Sequence, residues 1–251
     1  MHDRRHATSW ATEEEGTRYE RGRPTYPDQA GPILAEQLRL GAGEWVADVA
    51  AGTGKLTRVL ATTGADVLAV EPMPGMRARL REVTGPRVAA GTAEHLPLRD
   101  ASLRGATVAQ AFHWFRLPEA AAELRRVLQP EGRLAIVTNG RDPAWSAVER
   151  VADILGRYEA LGPRPESVGA WREGLYDSGV FARVERIELP HEQRFETWDD
   201  FNARFESISF AILLAAPQRA AMLDELRAAV GDTLPVVVPL RTVIEVWAPV
   251  A

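Results

Sequence analysis

A doubly wound α/β sheet is the architecture that this sequence predicts, and three observations predict it. Five apolar runs of strand length alternate with stretches of helical periodicity between Trp45 and Thr138. The first run, Trp45 to Val49, passes through the small-residue turn Ala50-Ala51-Gly52-Thr53-Gly54 into helical spacing from Lys55 to Ala61. Strand, tight turn and helix in that order make the first unit of a nucleotide-binding α/β fold. The second run, Asp66 to Val70, ends in an acid, Glu71. Glu71 follows Gly52 at close to the ~20-residue interval of a ribose-binding carboxylate.

Ahead of the first strand, residues 1–43 read as an N-terminal helical arm. Thr12 with Glu13-Glu14-Glu15 marks a helix start. The stretch Tyr19-Glu20-Arg21-Gly22-Arg23-Pro24-Thr25-Tyr26-Pro27 takes an extended path, because each Pro disfavours a helix at the residue before it. Asp28 can cap a helix from Gln29 to Leu38. Two readings of the arm stay open. It is a packed extension, or a lid whose Tyr and Arg side chains close over a ligand.

The turn after the first strand narrows the ligand class. Gly and Ala let the backbone turn sharply, and the N–H groups opening the next helix point at whatever binds. A phosphate-binding P-loop fails, since Leu56 follows Gly54-Lys55 and Val49 stands at the first Gly position. A dinucleotide fingerprint starting at Gly52 and Gly54 meets Thr57 at its third position, which is too large for close helix–strand packing. An acidic-x-Gly-x-Gly-x-Gly pattern fits as Asp48-x-Ala50-x-Gly52-x-Gly54, with Ala50 replacing one Gly.

Further along, Glu71 either receives a ribose diol, accepting two hydroxyl bonds at once, or caps the turn into Pro74-Gly75-Met76. An unpaired carboxylate at a buried strand tip is expensive, which favours the ligand role. Met73 and Met76 are adenine flanks or gap fillers. A third strand, Arg87 to Ala90, leads into Gly91-Thr92-Ala93-Glu94-His95-Leu96-Pro97. The fourth, Gly105 to Gln110, runs into Ala111-Phe112-His113-Trp114-Phe115 at the crevice end of the sheet. That cluster is a pocket wall with His113 as a proton acceptor, or an aromatic core plug with a satisfied His. Leu117 to Leu128 is an amphipathic helix stopped by Gln129-Pro130-Glu131-Gly132, and Arg133 to Thr138 is the fifth strand. Beyond it lie a helix from Ser146 to Ala160, a break at Gly162-Pro163-Arg164-Pro165, and a helix from Val168 to Ser178. A sixth strand, Val184 to Leu189, two helices, Thr197 to Phe210 and Gln218 to Val230, and a last strand, Val236 to Ala248, complete the reading.

Four of these strings, with the acidic-glycine turn, resemble the class I S-adenosylmethionine-dependent methyltransferases. They are Tyr19-x-x-x-Arg23-Pro24-x-Tyr26-Pro27, the Gly91 to Pro97 turn, Gln110 to Phe115, and Leu128-x-Pro130-x-Gly132-x-Leu134. The first and third are similar to a small-molecule, methyltransferase type 11-like branch. Thr92 stands where that family usually has Asp. The resemblance implies a Rossmann-like seven-stranded sheet, mostly parallel with an antiparallel C-terminal hairpin strand. It implies a methyltransferase domain over 44–251, with a helical insertion at about 196–231 between strands six and seven. S-adenosylmethionine is the implied cofactor and S-adenosylhomocysteine the product. The implied cofactor residues are Tyr19, Arg23, Asp48, Ala50, Gly52, Gly54, Glu71, Pro72, Met76, Thr92, Ala93, Glu94, Gln110 and Ala111. Substrate candidates are Tyr26, His113, Trp114, Trp145 and Phe210, with His113 the candidate base. The implied reaction is methyl transfer by in-line displacement to a small organic acceptor, with oxygen as the acceptor atom.

Composition excludes several other classes. The net charge of −5 gives no basic field for nucleic acid, and there is no Asn-Pro-Pro-Tyr-like tetrad. Cysteine is absent, so disulfides, thiolate catalysis and cysteine zinc sites are absent too. No His/Asp/Glu cluster suggests a metal. No apolar run approaches a membrane span, and the first residues carry no signal-peptide pattern, so the expected setting is cytoplasmic. Two alternatives remain: a protein that binds the cofactor without methyl transfer, and an NAD-dependent oxidoreductase, for which no Tyr-x-x-x-Lys pair appears. Monomer or homodimer is left open.

Overall fold

In the computed structural model, residues 13–85, 87–161 and 171–250 are described, without the side chains of 13–15. Among them seven strands form one sheet: β1 (Trp45–Val49), β2 (Asp66–Val70), β3 (Val88–Ala89), β4 (Leu103–Ala109), β5 (Leu128–Arg141), β6 (Phe181–Phe195) and β7 (Val236–Pro249). The order across the sheet is β3-β2-β1-β4-β5-β7-β6. β1 lies between parallel partners β2 and β4 and is buried from Val46 to Val49, which is why that run is apolar without alternation. β2–β3 and β4–β5 are also parallel, whereas β7 runs antiparallel to both β5 and β6. This is a Rossmann-like doubly wound sheet ending in an antiparallel hairpin.

Helices cover both faces. On one side α2 (Ala30–Leu38) and α3 (Lys55–Ala61) bury Leu34, Leu38, Leu56 and Leu60 against Val46, Ile244 and Val246. On the other, α5 (Leu117–Val127) and α7 (Trp171–Asp177) bury Leu124, Trp171 and Leu175 against Val108, Ile136 and Trp247. Of the remaining helices, α1 (Glu13–Gly22) precedes α2, α4 (Pro74–Thr84) follows β2, and α6 (Val148–Glu159) follows β5. Between β6 and β7 the chain forms α8 (Trp198–Glu206), α9 (Ser209–Leu213) and α10 (Ala216–Val230). These three share a separate core with α6, built on Phe201, Phe205, Met222 and Leu226.

Several elements differ from expectation. Asp28 caps nothing: α2 starts after Gln29, with no side-chain cap, and Ala30 N–H donates to the Pro27 carbonyl at 2.9 Å. The expected helix over 197–210 breaks at Ser207–Ile208, where Ile208 turns extended (φ −75°, ψ 137°). β6 runs far past the predicted Leu189, paired with β7 from Phe181↔Pro249 to Phe195↔Val236. The strand continues through Pro190 and His191-Glu192 because β6 is an edge strand, where Pro is tolerated and charge guards the open edge. β5 begins at Leu128, paired to Leu103, before the register shifts to Gly105↔Arg133. The expected start at Thr12 and the break at Gly162–Pro165 lie outside the described residues. Among the described residues no helix is long and apolar enough to cross a membrane.

Candidate active site

The turn after β1 is fixed from beneath. Asp48 is wholly buried, and its two carboxylate oxygens accept the hydroxyls of Thr57 (2.6 Å) and Thr107 (3.1 Å). Burial pushes the Asp48 carboxyl up to about 6, against the downward pull of those donors. Asp48 therefore braces the turn rather than facing a ligand. Thr57, too large for a dinucleotide motif, is here the partner of that acid. Ala50 (φ 57°) and Gly52 (φ 58°) both adopt left-handed conformations. A Cβ on Gly52 would meet nothing within 4 Å, so this side of the turn is open to a ligand. Gly54 serves packing instead. A Cβ there would lie 2.7 Å from Leu80 Cδ1 and 2.9 Å from Thr84 Cγ2, so its size sets how closely the turn packs on α4.

Glu71 ties β2 to this turn. One carboxylate oxygen accepts the Gly52 N–H and the other accepts the Met73 N–H, both at 2.8 Å. Each oxygen keeps a lone pair for a further donor. Burial raises the carboxyl to about 7 despite the two backbone donors and nearby Arg77. Arg77 also donates to the carbonyls of Glu71 (2.9 Å) and Pro72 (2.8 Å), which holds the strand tip in place.

At the tip of β4, Gln110 is also left-handed (φ 55°), and its Nε2 donates to the Asn139 carbonyl at 3.0 Å. Asn139 Nδ2 donates to the Thr25 carbonyl (2.9 Å), and its Oδ1 accepts the Thr242 hydroxyl (2.6 Å). The tips of β4 and β5, and through Thr242 the middle of β7, are thereby joined to the arm.

The arm lies across these tips and meets the insertion. A Cβ on Gly22 would collide with the Ala203 carbonyl, so α1 and α8 touch backbone to backbone. Arg21 pairs with Asp200 (2.8 Å), Gln193 donates to the Gly22 carbonyl (3.0 Å), and Arg23 donates to the Ser207 carbonyl (2.6 Å). On the other flank Glu20 accepts the Thr53 hydroxyl and pairs with Arg58 (2.6 Å) and Lys55 (3.6 Å). Under this cover lies a cavity of about 80 Å³ lined by Tyr19, Arg23, Pro24, Tyr26, Ala50, Ala51, Gly52, Thr53, Lys55, Leu56, Ala109, Gln110, Asn139 and Arg204.

Six residues singled out from the sequence line that cavity: Tyr19, Arg23, Tyr26, Ala50, Gly52 and Gln110. The others fall around it. Thr92 bridges to His95 in a tight turn, Ala93 is buried, and Glu94 accepts the Arg116 N–H at 3.0 Å. Met76 is buried on α4, and Ala111 packs on the main core. In the aromatic string Phe112 and Phe115 are core, their tilted rings 5.2 Å apart between centroids, while Trp114 stays 37% exposed beside His113. Burial and the nearby Arg23 charge depress His113 to about 4, so it is neutral at physiological pH and a weak base. Two substrate candidates do not line the cavity. Phe210 is buried in the insertion core and Trp145 packs against that core, because both serve the α6–α10 packing. Arg204, Asn139, Lys55 and Thr53 line the cavity without having been singled out. Arg204 had a signal: it shares a helical face with Phe201, Phe205 and Ile208, a cation on an apolar stripe. Among the described residues no group of three or more His, Asp or Glu could hold a metal.

A family profile described as a methyltransferase domain matches residues 47–136. An uncharacterized methyltransferase of Mycobacterium tuberculosis is 46% identical over 140 residues, 55% of this chain and 56% of that protein. The match thus spans about half the length of that relative. An uncharacterized methyltransferase-like protein of Schizosaccharomyces pombe is 34% identical over 214 residues, 83% of this chain and 82% of that protein. The chain belongs to the methyltransferase family. A solved structure from Anaeromyxobacter dehalogenans, described as a type II methyltransferase, is 28% identical and superposes with a TM-score of 0.66, covering 89% of this chain and 97% of that one. The family match runs from β1 to β5, so it takes in the braced turn and Glu71 but neither the arm nor the insertion.

Proposed function

We propose that this protein binds S-adenosylmethionine and moves its methyl group to an oxygen of a small organic acceptor. The observation that carries the reading is the Glu71 carboxylate. It is buried, fixed by the Gly52 and Met73 N–H groups, and keeps one lone pair on each oxygen beside a turn that leaves ligand space at Gly52. That arrangement suits a ribose diol, which brings two hydroxyl donors. Tyr19, Arg23, Ala50 and Gln110 would meet the amino-acid end of the cofactor, and Thr92 to Glu94 the adenine. When bound, the cofactor supplies a methyl carbon already activated by a sulfonium, so what the chain must do is align the acceptor and exclude water. The aromatic faces of Tyr19 and Trp114 suit a sulfonium as they suit other cations.

His113 bears on the acceptor. Held down to about 4, it is a poor proton acceptor for a neutral hydroxyl, which favours an oxygen that is already ionised. A cavity of about 80 Å³ is well below the ~300 Å³ of common small-molecule sites, which supports an arm that opens for the cofactor to enter and closes behind it. The test is a calorimetric titration of wild-type protein with S-adenosylmethionine, S-adenosylhomocysteine and NAD. Micromolar binding of the two sulfur nucleosides without NAD binding supports the reading, and a folded sample that binds neither nucleoside sinks it.

A further inference from the structure

The cavity under the arm is lined by cations without acids. Arg23, Lys55 and Arg204 contribute to its wall, and no Asp or Glu does. Lys55 already has Glu20 as its counter-ion. The two arginines are differently placed. Arg23 donates from Nη2 to the Ser207 carbonyl, but its Nε is shut off from solvent with no acceptor among the described residues. Arg204 Nη1 is likewise inaccessible and without an acceptor. A third guanidinium, Arg141 at the end of β5, is close enough for its charge to act on Arg204, as does that of Arg23. Together with burial this depresses Arg204 to about 9. Buried cations that repel one another, with donors left over, are costly unless an anion arrives.

The charge of the cofactor does not meet this demand. S-adenosylmethionine brings one carboxylate, but also an ammonium and a sulfonium. Its carboxylate can satisfy one guanidinium, and Arg23, next to Tyr19 on the arm, is the nearer to the glycine turn in chain. Arg204 comes from the insertion and is left with Arg141 and an added sulfonium charge.

We infer that Arg204, supported by Arg141, forms an anchor for a carboxylate of the methyl acceptor. This rests on the methyl-transfer reading and names its substrate class. A carboxylate held by guanidinium groups has its lone pairs engaged, so the anchor and the methylated oxygen are separate groups. The acceptor is then a carboxylic acid with a second nucleophilic oxygen, such as a dicarboxylic acid. The insertion between β6 and β7 supplies this anchor, while the sheet tips and the arm supply the cofactor site.

The experiment is titration calorimetry on protein loaded with S-adenosylhomocysteine. The probes are succinate, glutarate and 1,2,3-propanetricarboxylate, with succinamide and glutaramide as uncharged counterparts. The proteins are wild type, Arg204→Gln, Arg204→Lys and Arg141→Gln, each checked for a native melting transition. The inference predicts that acids bind wild type at least about tenfold tighter than amides. Arg204→Gln loses that preference, Arg204→Lys recovers part of it, and Arg141→Gln weakens it. S-adenosylhomocysteine itself binds each variant within about threefold of wild type. Two results overturn the inference. One is equal binding of acids and amides to loaded wild type. The other is a loss of about tenfold or more in S-adenosylhomocysteine affinity on Arg204→Gln with 5′-methylthioadenosine unaffected, which assigns Arg204 to the cofactor's own carboxylate. Should S-adenosylhomocysteine fail to bind folded wild type, the methyl-transfer reading falls and takes this one with it, and that is seen before any acid is added.

Discussion

The two walls of the cavity are built in opposite ways. The sheet wall is local. Asp48, Gly52, Thr57 and Glu71 lie within one strand–turn–helix–strand unit, and their bonds are short in sequence as well as in space, Thr57 to Asp48 and Gly52 to Glu71. The wall made by the arm and the insertion is assembled from distant segments: Arg21 meets Asp200, Arg23 meets Ser207, and Gln193 meets Gly22. The acids behind the first wall, Asp48 and Glu71, each accept a bond on both carboxylate oxygens. The second carries guanidinium donors without an acceptor among the described residues. A site with one wall preformed and the other brought in by a docking arm can hold a cofactor firmly and still admit it.

The largest expected effect lies on the sheet wall. Glu71→Ala removes a charged acceptor for two hydroxyls, and S-adenosylhomocysteine affinity should fall about a hundredfold in calorimetry. An unchanged affinity would mean that the ribose lies elsewhere. Next comes the joint between the walls. Gly22→Leu places a side chain where the Ala203 carbonyl already sits, so α1 should leave α8. We expect a loss of about 1–3 kcal/mol by urea denaturation, together with faster proteolytic cleavage within 13–27. A variant as protease-resistant as wild type would show that the arm docks by other contacts. Thr57→Val removes a hydroxyl donor from buried Asp48, at a cost of about 1–3 kcal/mol and with no change in arm proteolysis.

The smallest effect is a pH dependence of binding. Glu71 is raised to about 7 in the folded protein, above its ordinary value of 4.5. Its protonated form is therefore favoured by folding, and the stability it contributes is present below 4.5 and lost as pH rises through about 7. Diol binding has the reverse preference, since hydroxyl donors need the ionised carboxylate. S-adenosylhomocysteine affinity should thus rise about tenfold between pH 6 and 8 and then level off. Glu71→Gln should flatten the profile, and a persisting slope would assign it to another group.

The contrast between the walls also explains what could be read from the sequence. β1, α3 and β2 fall where the apolar runs and the glycine turn put them, because strand burial and turn chemistry are local properties. Glu71 was legible through its spacing from Gly52. Asp48 was legible as part of a pattern but not in its bracing role, since Thr107 reaches it from a strand far along the chain. Asn139 and Arg204 were not singled out: each comes to line the cavity only when β5 or the insertion folds back over the sheet tips. Phe210 and Trp145 pack in and against the core that α6 shares with the insertion and do not line the cavity.

The most direct test of this division compares S-adenosylhomocysteine affinity in Glu71→Ala and Arg204→Gln under one set of conditions. The account predicts a loss of about a hundredfold in the first and a change of no more than about threefold in the second. The reverse order, with Arg204→Gln the more damaging, would contradict the account, because the cofactor would then depend on the insertion, which is assigned to the acceptor.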